Sequence, residues 1–478
     1  MRSTSRWARA AGAVIVAVAA TVVSASTAHA AVPADGTAYQ VSVTNSGKCL
    51  DVVAGSTASG ALVQQWGCSG DTWQRFTLKA AGSSNHTLVN VNSGKCLDIP
   101  SGTTTSGTQL QQWNCSGATN QQWRLVASGS GTYQVINVAS GLCLANQGAA
   151  TGSGVPIVQE ACTANTNKQW LFAPAGRTWS NNADGFAGTS GMGVTTTTGG
   201  AAGPTVTVTT YADLVRYATA TTPYVIRVSG AITVTPYGTE IRAASDKTII
   251  GVGTGGQIVN GGFFLASGVH NVIIRNLTIR DTRVASDDPD DKDFDYDGIQ
   301  MDTANHVWID HNTITRMNDG LIDSRLDTTY LTVSWNVLSE NNKAFGIGWT
   351  SNVTSRMTIH HNWIHDNNQR NPSTDNVAYA HLYDNYLQNI TSYGNYSRGA
   401  TKMVLENSYF DNVKDPFYHD DAAQLRQSGS IVVNSTGQQE TGGSAFTPSS
   451  FYSYTLDPAA DVPALLRTYA GPQANIGS

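Results

Sequence analysis

The chain has 478 residues, 13% of them charged, with 47 glycines and a formal net charge of −6. A mean field of this sign repels nucleic acid and excludes that partner class. Beyond the N-terminal stretch no run of roughly 18 uninterrupted apolar residues occurs, so no membrane partner is expected.

The first predicted element is a secretory signal. Arg2, Arg6 and Arg9 precede an apolar Ala/Val run from Ala10 to about Val23, and Ala28-His29-Ala30 follows as a small-x-small cleavage site. That pattern predicts export, removal of residues 1–30 and a mature start at Ala31. The run is too short for a comfortable span. Removal takes three arginines and no acid, which moves the net charge from −6 to −9. The remaining length exceeds one typical domain and predicts two. Few charges with many Gly, Ser, Thr and Asn predict an all-β chain rich in turns.

Six cysteines, Cys49, Cys68, Cys96, Cys115, Cys143 and Cys162, lie 19 residues apart within pairs, and the pairs start 47 residues apart. Ser46-Gly47-Lys48-Cys49-Leu50-Asp51 recurs as Ser93-Gly94-Lys95-Cys96-Leu97-Asp98 and more loosely as Ser140-Gly141-Leu142-Cys143-Leu144-Ala145. Each copy ends in a polar-x-aromatic triplet: Gln74-Arg75-Phe76, Gln121-Gln122-Trp123, Lys168-Gln169-Trp170. Three short-stranded copies predict one closed unit with threefold pseudo-symmetry. In an exported chain, equal spacing predicts one disulfide per copy, each stabilising by roughly 3 kcal/mol.

This stretch, residues 36–173, resembles the ricin-B-type β-trefoil lectins. The resemblance implies a shallow sugar site in each copy, built from an Asp after the first Cys, a Gln-x-aromatic before the second and an Asn-Gln pair near the end. The second copy matches with Asp98, Gln111, Trp113, Asn120 and Gln121. The first keeps Asp51, Gln64, Trp66 and Gln74, but Trp73 replaces the Asn. The third carries Ala145, Val158 and Glu160, so no sugar is expected there. A carboxylate accepts sugar hydroxyls while an indole covers the apolar ring face. Trp123 and Trp170 are expected in the core instead. Neutral plant-wall sugars are the expected ligands.

The stretch from Ala173 to Gly203 is rich in Gly, Ser and Thr and reads partly as linker, with a second unit over residues 177–478. One helix is predicted, from Tyr211 to Ala220, capping an open end. From Val225 onward short β-branched runs recur, among them NVIIRNLTIRDT, HVWIDHNTITRM, YLTVSWNVLSE and MTIHHNWIHD. Asparagines at 276, 312, 336, 362, 385 and 407 sit inside them, about one β-coil apart, and predict an amide ladder along a stacked parallel solenoid.

The stretch from Asp293 to Pro372 carries the chemistry. It holds carboxylates first, then a lysine, then an arginine, which suits a divalent cation and an anionic sugar polymer. YDGI, VWIDHN, DGLIDS, LTVSWN, the lysine before GIG, and QRNP resemble the pectate lyase family, from about Gly185 to Val413. The resemblance implies a right-handed parallel β-helix and cleavage of pectate by β-elimination. It implies Ca²⁺ held by Asp297, Asp319 and Asp323, with Asp295 as a further ligand. It assigns Lys343 to the substrate carboxylate and Arg370 to the general base. A base of free pKa above about 12 is scarce in neutral form at pH 7. Adjacent cations push that pKa down, and an alkaline optimum is expected.

The chain departs from the family twice. Asn341-Asn342-Lys343 stands where many members have His-Asp-Lys, and Asp375 stands where a second substrate arginine is usual. The acidic run Asp287 to Asp293 imitates an EF-hand start but has Ala304 where a Glu is required; a second Ca²⁺ there is the alternative to a solvated loop. His311, His360 and His361 show no metal spacing and are expected as hydrogen-bonded rung residues. The expected protein is a secreted monomer that acts on pectic polysaccharide. The rival readings are a pectin lyase without Ca²⁺, a polygalacturonase, and a non-catalytic wall-binding protein.

Overall fold

The computed structural model describes residues 33–129, 131–288 and 293–477. The signal segment 1–30, the start at Ala31 and the centre of the acidic run, residues 289–292, lie outside the described residues.

The N-terminal strands, from Ala38–Val43 to Trp170–Pro174, form one 12-stranded antiparallel system. Its first and last strands pair from Tyr39↔Pro174 to Val43↔Trp170, which closes the unit on itself and removes an edge. The copies place equivalent side chains at equivalent depth. Leu50, Leu97 and Leu144 are fully buried, as are Phe76, Trp123 and Trp170. Trp123 Nε1 donates to Leu97 O at 3.3 Å and Trp170 Nε1 to Leu144 O at 2.9 Å, so both indoles are core groups with a satisfied N–H. The disulfides are Cys49–Cys68, Cys96–Cys115 and Cys143–Cys162, as the repeat predicts.

The rest of the chain stacks into a parallel β-solenoid of three sheets with ten, nine and eight strands. Its strands run from Thr205–Val208 to Ile431–Val433. One inward column reads Ile226, Ile249, Ile274, Ile309, Val333, Ile359, Leu382, Leu405 in unbroken register. Burial in such a column contributes about 1.5–3 kcal/mol per side chain. Because the column spans many rungs, it fixes register and therefore which side chains face out.

The amide ladder exists, in shortened form. Asn312 Nδ2 donates to Asn336 Oδ1 at 3.0 Å, Asn336 to Asn362 at 2.9 Å, and Asn362 to Asn385 at 3.0 Å. Ser408 continues it by accepting from Asn385 N–H. Asn276 and Asn407 stand one residue earlier, at φ +61° and +44°. His311, Trp335, His361 and Asp384 take that same left-handed bend. Asn tolerates this bend better than most residues. Equal spacing therefore mixed two adjacent bend positions.

The helix Tyr211–Ala218 ends two residues before the expected limit, with Thr210 accepting from Asp213 N–H at 3.2 Å. Leu214 and Ala218 plug the core. A second helix, Val462–Tyr469, was not predicted. It packs Val462, Leu465 and Leu466 on Ala173, Trp335, Tyr386 and Tyr409. Tyr469 Oη donates to Pro174 O at 3.1 Å, and Arg177 pairs with Asp457. Trp179 lies 4.3 Å from the His311 ring and 5.0 Å from Trp335. The segment read as linker is therefore packed at its start. Among the described residues no helix is long and apolar enough to cross a membrane.

Candidate active site

The third sheet, from Thr239–Arg242 to Phe417–His419, carries the predicted site on its outward face. Asp297 precedes the strand Ile299–Asp302, Asp323 sits on Gly320–Arg325, Lys343 opens Lys343–Gly348, and Arg370 precedes Ser373–Asp375. These are consecutive rungs. Parallel strands stand about 4.8 Å apart, so residues separated by 20–50 positions in sequence become neighbours.

Ligand oxygens of Asp295, Asp297 and Asp319 lie within 4.8 Å of one another. Asp323 completes the cluster from the next rung: a Cβ added to Gly320 would stand 2.7 Å from Asp323 Oδ1 and 2.8 Å from Asp297 Oδ1. Only glycine leaves that cradle open. Asp297 Oδ1 accepts from Gly320 N–H at 2.5 Å. Asp323 Oδ1 is buried and has no hydrogen-bond partner.

Lys343 Nζ donates to Asp319 Oδ1, and its side chain is almost fully covered. Arg370 Nη1 lies 3.7 Å from Asp323 Oδ2, and its guanidinium sits 5.2 Å from the exposed Trp349 ring. All six predicted residues thus meet on one wall.

Three participants were not predicted. Glu240 Oε1 accepts from Asp297 N–H at 3.1 Å. Arg325 Nη1 lies 3.3 Å from Asp295 Oδ2, and its Nε 3.3 Å from Asp302 Oδ1. Gln300, with its amide oriented by its neighbours, donates to Asp297 Oδ2 and accepts from Arg325. Arg325 was legible in principle, because it stands two residues after Asp323 on the same strand face. Glu240 lies 57 residues before Asp297 and has no local signal.

The electrostatics are those of crowded acids. Burial, then the charges around it, pushes Asp323 up to about 7 despite Arg370. Burial raises Glu240 to about 8, with Asp295 and Asp323 adding to it and the Asp297 N–H opposing. Asp297 lies well above the usual carboxylate range for the same reasons, burial first and Asp323 next. Asp295 is raised by burial and by Asp319. Such a set ionises together only when a cation joins it. All-carboxylate donors with an orphaned buried oxygen fit a hard divalent ion.

A second group, His361, Asp384 and Asp457, also brings candidate ligand atoms within 4.8 Å. His361 Nε2 lies 2.9 Å from Asp457 Oδ2, and Asp384 Oδ2 accepts from Asp457 N–H at 2.9 Å. These contacts clamp the C-terminal segment onto the bends, the structural role expected of the rung histidines.

The trefoil forms two open pockets. In the second copy Asp98 Oδ1 accepts from Gln111 at 2.7 Å, and Oδ2 accepts from Asn120 at 2.9 Å and Gln121 at 3.0 Å. Trp113, 45% exposed, walls this pocket of about 580 Å³. In the first, Asp51 accepts from Gln64 at 2.8 Å and Gln74 at 3.0 Å, and Trp66 and Trp73 line about 330 Å³. In the third copy Lys168 takes the Gln position and pairs with Glu160 at 2.9 Å, while Ala145 and Val158 are buried.

A pectate lyase family model matches residues 161–475, and a model described as ricin-type β-trefoil lectin domain-like matches residues 29–113, 74–158 and 119–187. A pectate trisaccharide-lyase of Bacillus licheniformis is 34% identical over 293 residues, covering 58% of this chain and 83% of that protein. Its namesake from Thermotoga maritima is 30% identical over 332 residues, covering 58% and 84%. A pectate lyase of Bacillus sp. N165, solved in complex with trigalacturonate, is 27% identical at TM-score 0.50, covering 61% of this chain and 98% of that one. The order of motifs, the β-helix and the two model matches agree: the chain belongs to the pectate lyase family of polysaccharide lyases and carries a ricin-B-like lectin domain on its N-terminal side.

Proposed function

We propose that the chain is a secreted, Ca²⁺-dependent pectate lyase that cleaves polygalacturonate by β-elimination. In this reading the unit over residues 36–173 holds the enzyme, as a monomer, on neutral sugars of the plant cell wall. The unit over residues 177–478 does the chemistry. The observation that carries the reading is the Asp295–Asp297–Asp319–Asp323 cluster, with its orphaned Asp323 Oδ1, directly beside Lys343 and Arg370. Three disulfides fit an oxidising, extracellular setting.

Asp297, Asp319 and Asp323 would hold the ion, with Asp295 at its exposed side. When bound, Ca²⁺ supplies charge neutralisation for the substrate carboxylate and so acidifies the C5 proton. Lys343 shares Asp319 in the structure; with Asp319 turned to the ion, its ammonium is free to pair with the substrate carboxylate. Arg370 takes the C5 proton. The C5–H electron pair becomes the C4=C5 double bond, and the C4–O bond breaks. The departing oxygen gains a proton from solvent and becomes the new chain end. Gly320 and Gly346 keep side-chain bulk out of the space where the sugar must lie.

The test is ultraviolet absorbance of unsaturated uronide on polygalacturonate and on highly methylated pectin, each with and without chelator. Absorbance should rise on polygalacturonate, vanish with chelator and return with Ca²⁺. Chelator-resistant release from methylated pectin would instead make the enzyme a metal-free pectin lyase.

A further inference from the structure

The first two trefoil copies differ at one position of their sugar pockets. Thr72-Trp73-Gln74 forms the same short 3₁₀ turn as Thr119-Asn120-Gln121. Trp73 and Asn120 also face equivalent glycines. A Cβ added to Gly55 would stand 3.1 Å from the Trp73 ring, and one added to Gly102 would stand 3.7 Å from Asn120 Cβ. Gly55 has φ +61°, and its carbonyl accepts from Asn92 Nδ2 at 2.9 Å, so the turn that seats the indole is fixed. The indole fills space that the amide leaves open: the first pocket holds about 330 Å³ and the second about 580 Å³.

The exchange also inverts a hydrogen-bonding group. Asn120 Nδ2 donates to Asp98 Oδ2 at 2.9 Å and to Ile99 O at 3.0 Å, which leaves its Oδ1 as an acceptor. Among the described residues no group donates to that oxygen, and it is not sealed from solvent. Trp73 offers no acceptor there. Its Nε1–H is a donor only, has no partner among the described residues and reaches solvent. Asp51 changes with it: it accepts from Gln64 and Gln74, whereas Asp98 accepts from Gln111, Asn120 and Gln121. Asp51 thus keeps one more lone pair for a sugar hydroxyl. Asp71 lines the first pocket as well, and two carboxylates there repel a free uronate.

We propose that the first pocket selects an O-acetylated neutral sugar, while the second selects the form with a free hydroxyl, and that Trp73 sets the difference. An acetyl ester joins a carbonyl that only accepts to an apolar methyl, and Trp73 presents a donor beside an apolar ring face. A hydroxyl at that place finds no acceptor on Trp73, whereas Asn120 supplies one. The indoles of Trp66 and Trp113 cover the sugar ring in both pockets; Trp73 or Asn120 reads its substituent. The proposal rests on the sugar-binding reading of the trefoil and adds which sugar each copy takes.

The experiment is calorimetric titration of the full chain with O-acetylated xylo- and galacto-oligosaccharides, before and after mild alkaline deacetylation. Both forms are neutral, so charge does not enter. Trp113→Ala isolates the first pocket, Trp66→Ala the second, and the double variant sets the background. With Trp113→Ala the acetylated sugars should bind about 3–10-fold tighter than the deacetylated ones. With Trp66→Ala the order should be level or reversed. Trp73→Asn added to Trp113→Ala should abolish the acetyl preference and keep binding of the deacetylated form. Trp73→Phe, which keeps the apolar wall without the donor, should fall between, with thermal midpoints confirming the fold of each. The same preference in both pockets, an acetyl preference that survives Trp73→Asn, or a first pocket that binds neither form overturns the proposal and leaves the second pocket a sugar site. Binding no stronger than the double variant in either pocket sinks the sugar-binding reading and the proposal with it.

Discussion

Arg370 Nη1 approaches Asp323 Oδ2 to 3.7 Å from the far side of the Gly346 rung. The two side chains are 47 positions apart, and only the stacked register joins them. The same guanidinium faces open space over Gly346, where a substrate carbon can come within reach.

Arg370→Ala should therefore lower kcat on polygalacturonate by about 10²–10⁴, the range of a lost general base. The side chain is partly exposed, so the thermal midpoint should move little. Initial rates of unsaturated product measure the first and calorimetry the second. Wild-type turnover in a folded variant would move the base elsewhere on the wall.

Glu240 supports the cluster from behind by accepting the Asp297 N–H. Glu240→Ala leaves that donor unpaired and loosens the residue that positions a proposed ligand. The Ca²⁺ concentration for half-maximal activity should rise by about 10-fold or more, the usual effect of losing a partner behind a metal ligand. Glu240→Gln keeps an acceptor and should fall between the two. An unchanged Ca²⁺ requirement in both variants would reduce Glu240 to a bystander.

The trefoil copies give a built-in comparison. Trp113 walls the complete second pocket, whereas the third is filled by the Glu160–Lys168 pair. Trp113→Ala should reduce retention on insoluble wall polysaccharide about tenfold relative to the rate on soluble polygalacturonate. Glu160→Ala should leave retention alone but lower the thermal midpoint, because it strands the buried Lys168 ammonium. Sedimentation of bound enzyme reads the first effect. Equal retention by wild type and Trp113→Ala would make the trefoil a spacer.

The trefoil and the acidic wall were legible because both leave periodic traces: a 47-residue repeat, and motifs one rung apart. Asn276 and Asn407 misled because composition records that an amide is present, not which of two adjacent bend residues carries it. The helix Val462–Tyr469 was missed because its apolar face answers surfaces assembled from distant strands, Trp335, Tyr386 and Tyr409 among them. Glu240 was invisible for the same reason: its partner is a backbone N–H two rungs away.

Asp384 offers a pH test away from the active site. It is fully buried beneath the C-terminal segment, and burial, with Asp457 adding to it, pushes it up to about 8. An unfolded Asp releases its proton near about 4. Between those values the folded state holds the extra proton, so stability falls as pH rises. His361 lies 3.5 Å from it and is pushed down to about 4 by burial, which has the opposite sign below about 6.5. The two offset each other there, and the net loss from Asp384 falls between about pH 6.5 and 8. Over that interval wild type should lose about 2 kcal/mol more than Asp384→Asn, whose amide oxygen still accepts the Asp457 N–H. Denaturant unfolding at both pH values reads the difference. Parallel losses in the two proteins would mean that Asp384 is already ionised at pH 6.5, with Arg177 and His361 carrying its charge.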